Sequence, residues 1–491
     1  MIGSVSESLA RTAPLMILAA WAVLVLLLVT LFRRLDKEAG YLTFMGILLA
    51  AVSAFRLLRS GTAVSLFSGA LLVDRFSLLF TLLFLATAGL TVLTSIPLVE
   101  REGNGKGEYY VLILTAAIGM ILMASSENLL TIFLGLEILS ISLYILAGFT
   151  RDAEKSVEAA MKYFLLGAFA TAFILYGAAL LFGVTRSIEL RGIARAFALP
   201  AESAIDPRAM AGMGLLLVGL AFKLGAVPFH FWIPDVYQGS PTPVAGFMAA
   251  GTKAAALATI LRLFGVAFRG PNVEPGWIAV LSLLAAFTMI VGNVVALAQT
   301  NVKRMLGYSS IAHAGYLLVG VVVTSAVESR QAALSAIVYY LAGYIFMNLG
   351  AFAVASVIGR TSGGAEEGYS FENYSGLARR RPFLAALMTI FMLSLTGIPP
   401  MAGFLGKFLL FRVAIDGRFY FLAVLGVLNS VVGAFYYLRV VVHMYMKEPS
   451  ASGMPPGATS SEGISLAFAA TATLCLGLFP GWLLDLSRSL L

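Results

Sequence analysis

Four of the nine lysines in this 491-residue chain, Lys162, Lys223, Lys253 and Lys407, lie inside long apolar runs. The twenty-four arginines sit mainly between runs or at their ends, as Arg33, Arg34, Arg151, Arg195 and Arg380 do. This division has a chemical reason. Arginine is effectively never deprotonated, whereas a desolvated lysine can give up its proton near neutral pH. A chain needing only fixed positive charge could use arginine; one that takes and releases protons needs lysine. Only Arg262, Arg439 and Arg412 are set deeper, each close enough to the end of a run to snorkel.

The lysines differ in setting. Lys223 follows the apolar stretch Gly214-Leu-Leu-Leu-Val-Gly-Leu-Ala-Phe222 and precedes a break at Gly225 and Pro228, where freed backbone carbonyls can hold water as a proton carrier. Lys253 stands among small residues, Ala249-Ala-Gly-Thr-Lys-Ala-Ala-Ala, that leave room for water or a close helix. Lys407 follows a second break by one to two turns. Lys162 has Glu158 four residues before it, which is equally an ordinary surface pair near a helix start.

Among 25 acidic residues only Glu137 is deep inside a run, with Ser140 and Tyr144 on the same helical face. A lone carboxylate in lipid would be protonated, so its natural partner is a buried lysine. At ~4 Å and an effective dielectric near 20, such a pair attracts by roughly 4 kcal/mol. It is either a static support or a switch that expels the lysine's proton when the pair separates. His230, seven residues beyond Lys223 across the break, and His313, on a face with Ser309 and Tyr316, could join a proton relay; each could equally be a hydrogen-bonded core histidine. His443 is expected at the interface, Asn293, Asn348 and Asn429 in interhelical hydrogen bonds, and Cys475 in packing.

The elements that must hold these groups are membrane helices. The chain is 60% hydrophobic and only 12% charged, about half the share usual in soluble domains. Apolar runs fall near 13–32, 40–57, 74–98, 109–125, 128–149, 157–183, 209–238, 243–264, 276–298, 301–324, 331–358, 383–413, 418–446 and 463–486. The runs are apolar all round, which excludes barrel strands. Fourteen crossings put both termini on one side. Lysine and arginine are nearly balanced between the two sets of connections and do not orient the chain. One cysteine excludes a disulfide framework, a thiolate zinc site and any Cys-ligated iron–sulfur cluster, and three scattered histidines argue against haem or histidine-metal chemistry. The net charge of +8 comes without a basic run interleaved with aromatics, so no nucleic-acid partner is expected. Within a bilayer each retained charge costs roughly 2.5–3.5 kcal/mol on insertion scales, which argues that the internal lysines serve a function.

Two runs carry breaks: Lys223-Leu-Gly-Ala-Val-Pro228-Phe-His230 and Leu395-Thr-Gly397-Ile-Pro399-Pro400-Met-Ala-Gly403. Proline deletes a helix hydrogen bond and clashes with the preceding turn, so each run should form two half-helices. The breaks are five runs apart. They are either unrelated kinks or corresponding points of an internal repeat, which an odd offset makes inverted.

Three stretches resemble the antiporter-like membrane subunits of respiratory complex I, the proton-translocating NADH:quinone oxidoreductase. They are Lys223 to Pro243, with its Asp235-Val-Tyr-Gln-Gly-Ser-Pro core, Asn301-Val-Lys-Arg-Met-Leu-Gly-Tyr-Ser-Ser-Ile-Ala-His-Ala-Gly-Tyr316, and Thr396-Gly-Ile-Pro-Pro-Met-Ala-Gly-Phe-Leu-Gly-Lys407. The resemblance implies an all-α polytopic membrane protein of about fourteen helices with two inverted five-helix repeats, each containing a broken helix. Its expected parts are 1–108 (helices 1–3), 109–264 (helices 4–8), 276–446 (helices 9–13) and 463–486 (helix 14). It also implies that Glu137, Lys162, Lys223, Lys253 and Lys407 are the charged residues of proton translocation. Both termini would lie on the periplasmic side of a bacterial inner membrane. The implied partners are the other membrane subunits of the complex and the lipid bilayer. No cofactor is expected in this chain; NAD, FMN, iron–sulfur clusters and quinone would belong to partner subunits. The alternatives are a subunit of a multi-subunit Na+/H+ antiporter and a purely structural scaffold.

Overall fold

A computed structural model describes residues 5–32, 36–61, 63–102, 107–198, 205–360, 366–449 and 457–487. Arg33 and Arg34 lie outside the described residues. The first six spans are α1 (Ala13–Leu31), α2 (Asp36–Ser60), α3 (Arg75–Glu102), α4 (Glu108–Ser125), α5 (Leu129–Ala147) and α6 (Glu154–Thr185). The seventh is split into α7a (Pro207–Leu224) and α7b (Trp232–Gly239). Then come α8 (Thr242–Ala267), α9 (Glu274–Leu297), α10 (Val302–Val323) and α11 (Arg330–Gly359). The twelfth is split into α12a (Pro382–Thr396) and α12b (Ala402–Asp416), followed by α13 (Tyr420–Met446) and α14 (Ser460–Leu478).

Among the described residues, 13 helices are long and apolar enough to cross a membrane. The remaining crossing is α12, whose halves have 15 residues each. α3, α8, α10 and α11 are almost wholly buried and form the core, whereas α1, α6, α9 and α13 turn large apolar side chains outward, among them Leu27, Phe169, Phe287 and Phe435. A helix apolar on every face suits both places, because lipid and protein interior are equally dry. Small residues set the closest approaches. A Cβ at Gly119 on α4 would meet Gly135 O of α5 at 2.6 Å, and one at Gly177 on α6 would meet Gly212 O of α7a at 2.7 Å.

The connection after α6 carries a short amphipathic helix, Leu190–Phe197, that buries Leu190, Ile193 and Phe197. Strand structure is present where none was expected. Val64–Leu66 and Leu71–Val73 pair antiparallel in the connection between α2 and α3, too short to span anything.

The packing repeats with a period of five helices. α4 packs on α5 and α8, and α6 packs on both halves of α7; α9 packs on α10 and α13, and α11 packs on both halves of α12. Successive crossings alternate in direction, so an offset of five inverts the second set relative to the first.

The two breaks share one backbone form. Gly225 (φ 76°) and Gly397 (φ 92°) end α7a and α12a in the left-handed region. Gly225 N–H donates to Ala221 O and Phe222 O, and Ala226 N–H to Ala221 O; Gly397 and Ile398 repeat this on Leu393 and Ser394. This is a Schellman closure, which a residue without Cβ favours. Pro228 and Pro400 follow three residues after each glycine and keep the chain from resuming the helix at once. The closure leaves the last carbonyls of each half-helix without backbone donors. A Cβ at Gly397 would approach Lys407 Cδ to 3.2 Å in addition to the left-handed strain. Gly397→Ala is therefore expected to cost about 1–2 kcal/mol or more, read as a lowered thermal midpoint in detergent, with Gly397→Asn milder.

Candidate functional site

The freed carbonyls are taken by lysines. Lys253 of α8 donates from Nζ to Leu224 O at 2.8 Å, at the end of α7a. Lys407 of α12b donates to Leu395 O and Thr396 O, both at 3.0 Å, at the end of α12a. Counted from the two glycines, Leu224 and Thr396 are the same position. Each ammonium thus sits on the negative end of a helix dipole, which stabilises a cation without a carboxylate. Among the described residues no ion pair involves Lys223, Lys253, Lys303 or Lys407. Lys253 begins a ten-residue α segment between π segments at Met248–Thr252 and Leu263–Ala267, distortions that recur at functional sites.

Lys223 occupies an aromatic cage. Its Nζ lies 5.2 Å from the Tyr144 ring, 5.1 Å from the Tyr163 ring and 5.9 Å from the Phe222 ring. Its hydrogen bond to Tyr144 OH is long, at 3.5 Å. Trp232 stacks on Tyr163 at 4.5 Å and donates Nε1 to Phe222 O, so the second half of the broken helix braces the cage. Quadrupoles of the ring faces favour the ammonium there.

The expected contact pair of Glu137 with a buried lysine is not formed among the described residues. Lys223 meets Tyr144, which is two turns along α5 from Glu137, roughly 10 Å along the axis. Glu137 remains within electrostatic reach of both, and its buried Oε1 has no hydrogen-bond partner in the protein.

Lys162 is not deep either. Its side chain is 41% exposed and pairs with Glu158 at 2.7 Å and Asp235 at 2.8 Å. Asp235 of α7b also pairs with Arg304 of α10 at 2.6 Å, so one carboxylate ties three helices together. Asp235 and Arg304 were visible only as charges within otherwise apolar motifs.

Between the two helix-end lysines stands His313, buried and within electrostatic reach of both. Its Nδ1 bonds Tyr340 OH and its Nε2 bonds Tyr437 OH at 3.0 Å; Tyr437 OH also bonds Ser309. Lys407 Nζ faces the Tyr316 ring at 5.1 Å, and Tyr316 OH accepts from Asn293, which also contacts Asn429. His230 sits in the joint between α7a and α7b, half-buried, near Lys253, with Nδ1 lacking a well-formed hydrogen bond.

Other expectations are corrected. Asn348 is fully buried but neither amide atom has a hydrogen-bond partner. Arg262 does not snorkel. It is buried, donates to Ala124 O, and forms a two-point pair with Asp74 at 2.8 and 3.0 Å, a partner 188 residues away that no local spacing could reveal. Arg412 is exposed beside Asp416, and Arg439 stacks on Phe371 at 4.2 Å. His443 bonds Ser375 near the end of α13. Cys475 is exposed on α14 rather than packed.

The sequence reading missed Lys303, the second residue of α10. It is as buried as the others: exposures are 2% for Lys223, 0% for Lys253, 2% for Lys303 and 6% for Lys407. Lys303 begins an apolar run, where local spacing does not separate a buried cation from an interfacial one. Removing one partner of a buried ion pair strands the other charge, at about 3–5 kcal/mol. Asp74→Ala should therefore lower unfolding stability by about that amount, and Asp74→Asn should recover only part of it, both measured by thermal unfolding in detergent.

Comparison with known proteins covers nearly the whole chain. Residues 126–433 match the family described as NADH:quinone oxidoreductase/Mrp antiporter, TM. The chain is 46% identical over 464 residues to NADH-quinone oxidoreductase subunit N of Trichlorobacter lovleyi, covering 94% of this chain and 93% of that one. It is 43% identical to subunit N 1 of Solibacter usitatus, covering 97% and 95%. Among solved structures, a chain of respiratory complex I from Thermus thermophilus, with bound aureothin, superposes with a TM-score of 0.80 at 39% identity, covering 97% and 100%. A chain of the Mrp complex from Dietzia sp. superposes at 0.85 with 20% identity, covering 99% and 97%, a likeness of fold alone.

Proposed function

The chain belongs to the NADH:quinone oxidoreductase/Mrp antiporter transmembrane family, and on that premise we propose how its buried lysines move protons as subunit N of a bacterial NADH:quinone oxidoreductase. It is an antiporter-like, multi-pass membrane subunit of that complex. Residues 109–264 and 276–446 act as two inverted units, flanked by helices 1–3 (1–108) and helix 14 (463–486). The setting is the inner membrane, with the termini on the periplasmic side. Partners are the other membrane subunits, and NAD, FMN, iron–sulfur clusters and quinone reside in neighbouring subunits. Redox energy reaches this chain as conformational or electrostatic work.

The observation that carries this reading is the pair of helix-end lysines. Lys253 and Lys407 hold positive charge deep in the protein by carbonyls that the breaks set free, and need no resident carboxylate. A lysine so held can load and unload without leaving a stranded anion behind. Lys223 takes a proton from the cytoplasmic side and holds it against ring faces. Movement of Glu137 toward or away from the cage sets whether that charge stays. The proton then passes to Lys253, with His230 beside it, through His313 to Lys407, and leaves on the far side. Lys162, in its ion cluster with Asp235, acts on the charge balance at the intake side. Moving one charge against 100 mV costs roughly 2.3 kcal/mol.

The antiporter alternative rests on shared fold, while the relatives at 43–46% identity are quinone oxidoreductase subunits. In the intact complex reconstituted in liposomes, Lys223→Ala should assemble normally and lose most proton translocation. Full pumping by that variant would remove the central claim, and cation-dependent exchange by the isolated chain would favour the antiporter.

A further inference from the structure

We propose that Lys303 is a second proton-intake residue, serving the inverted unit that contains His313 and Lys407 separately from the intake at Lys223. The proposal rests on the proton-translocating reading above.

Three observations meet at this residue. The first is its surroundings. Lys303 Nζ donates to Ser240 O at 2.8 Å and faces the Tyr369 ring at 4.5 Å, with no carboxylate paired to it among the described residues. Tyr369 OH is itself held by Thr242 at 2.8 Å, so the ring is fixed over the ammonium by the first residue of α8. A buried cation in this state is a group able to exchange a proton without breaking a salt bridge.

The second is its place on the helix. Lys253 and Lys407 lie at the C-terminal ends of half-helices, where the dipole favours a cation. Lys303 lies in the first turn of α10, whose dipole opposes a cation, while its Nζ rests on Ser240 O at the C-cap of α7b, whose dipole favours one. A proton on Lys303 is thus held between opposed dipoles, whereas Lys407 rests on a helix end and stands beyond the first turn of its own helix.

The third is connection to both sides. Lys303 lines a cavity of ≈ 570 Å³ together with Arg101, Glu102, Lys155, Ser240 and Tyr369. This cavity opens on the face where α3 ends and α8 and α10 begin, opposite to the face where α1 begins and α14 ends. Inward from Lys303, α10 carries Ser310 and His313 at seven and ten residues, roughly 10 and 15 Å along the axis. Ser310 lies within reach of the Tyr237 and Tyr344 hydroxyls, neither of which has a well-formed hydrogen bond. The Tyr344 ring lies tilted beside His313 at a centroid distance of 4.9 Å. In the transfer, the Lys303 ammonium gives one proton to this hydroxyl line, and His313 receives one through Tyr340, whose hydroxyl bonds its Nδ1. An amine and an imidazolium result, the hydroxyls are restored, and solvent entering through the cavity reprotonates the amine.

The test uses the intact complex in proteoliposomes, with protons moved per quinone reduced as the readout, for Lys303→Met, Lys303→Arg and Lys223→Ala. Both Lys303 variants are expected to lose pumping severalfold. Arginine keeps the charge, the stem and the bond to Ser240 but cannot release a proton. A Lys303→Arg complex that pumps like the parent would show a fixed structural charge and overturn the proposal, as would an unchanged Lys303→Met complex. If Lys303→Met fails to assemble, the arginine variant alone decides. Unchanged pumping in Lys223→Ala would instead strike the function reading, so the two failures are distinguishable.

Discussion

A lysine ammonium seated on carbonyls that a helix break has released is the interaction on which the rest of this structure depends. An interrupted helix in a dry interior exposes backbone acceptors that lipid cannot satisfy, and a buried ammonium exposes donors that lipid cannot satisfy. Each defect is costly alone. Together they cancel, with no carboxylate needed at Lys253 or Lys407. The glycine closures, the prolines and the small residues around Lys253 all serve to bring the two defects into contact. Should the ammonium lose its proton, the neutral amine still donates to the same carbonyls, so the break survives the change of charge.

The two units solve this problem with different helices. In the first, the lysine comes from the neighbouring helix α8; in the second, it comes from the far half of the same broken helix. Inverted repeats thus share a backbone joint without sharing the residue that fills it. The lateral cluster around Asp235 adds a link between the units, since α6 and α7b belong to the first and α10 to the second. A shift of α7b would alter the brace on the Lys223 cage and the setting of Lys303 at once.

Much of this was legible in the sequence, and the remainder fails for an identifiable reason. Apolar length located the helices, Gly225 and Gly397 with their prolines located the joints, and lysine inside apolar runs located three of the buried cations. These are signals local in sequence. What stayed hidden is set by distant segments. Lys303 is buried because residues around Tyr369 fold over the start of α10. Arg262 is buried because Asp74 reaches it from the head of α3. Glu137 has the chemistry for a pair with a buried lysine, but the lysine near it meets Tyr144, two turns further along α5. Spacing along one helix tells which residues share a face; it is silent about what faces them.

Arg262 also acts as a depth gauge. It is pinned to Asp74 beside a cavity on the face where α1 begins and α14 ends, and a continuous α segment of ten residues runs from it back to Lys253. Nine steps of helical rise place Lys253 about 13 Å below that anchor, close to half of a hydrocarbon core of about 30 Å. A charge at mid-depth divides the membrane field into two nearly equal drops. Loading it from one compartment and discharging it to the other each works against about half the voltage, roughly 1.2 kcal/mol per 100 mV. Neither stroke then has to bear the whole electrical load.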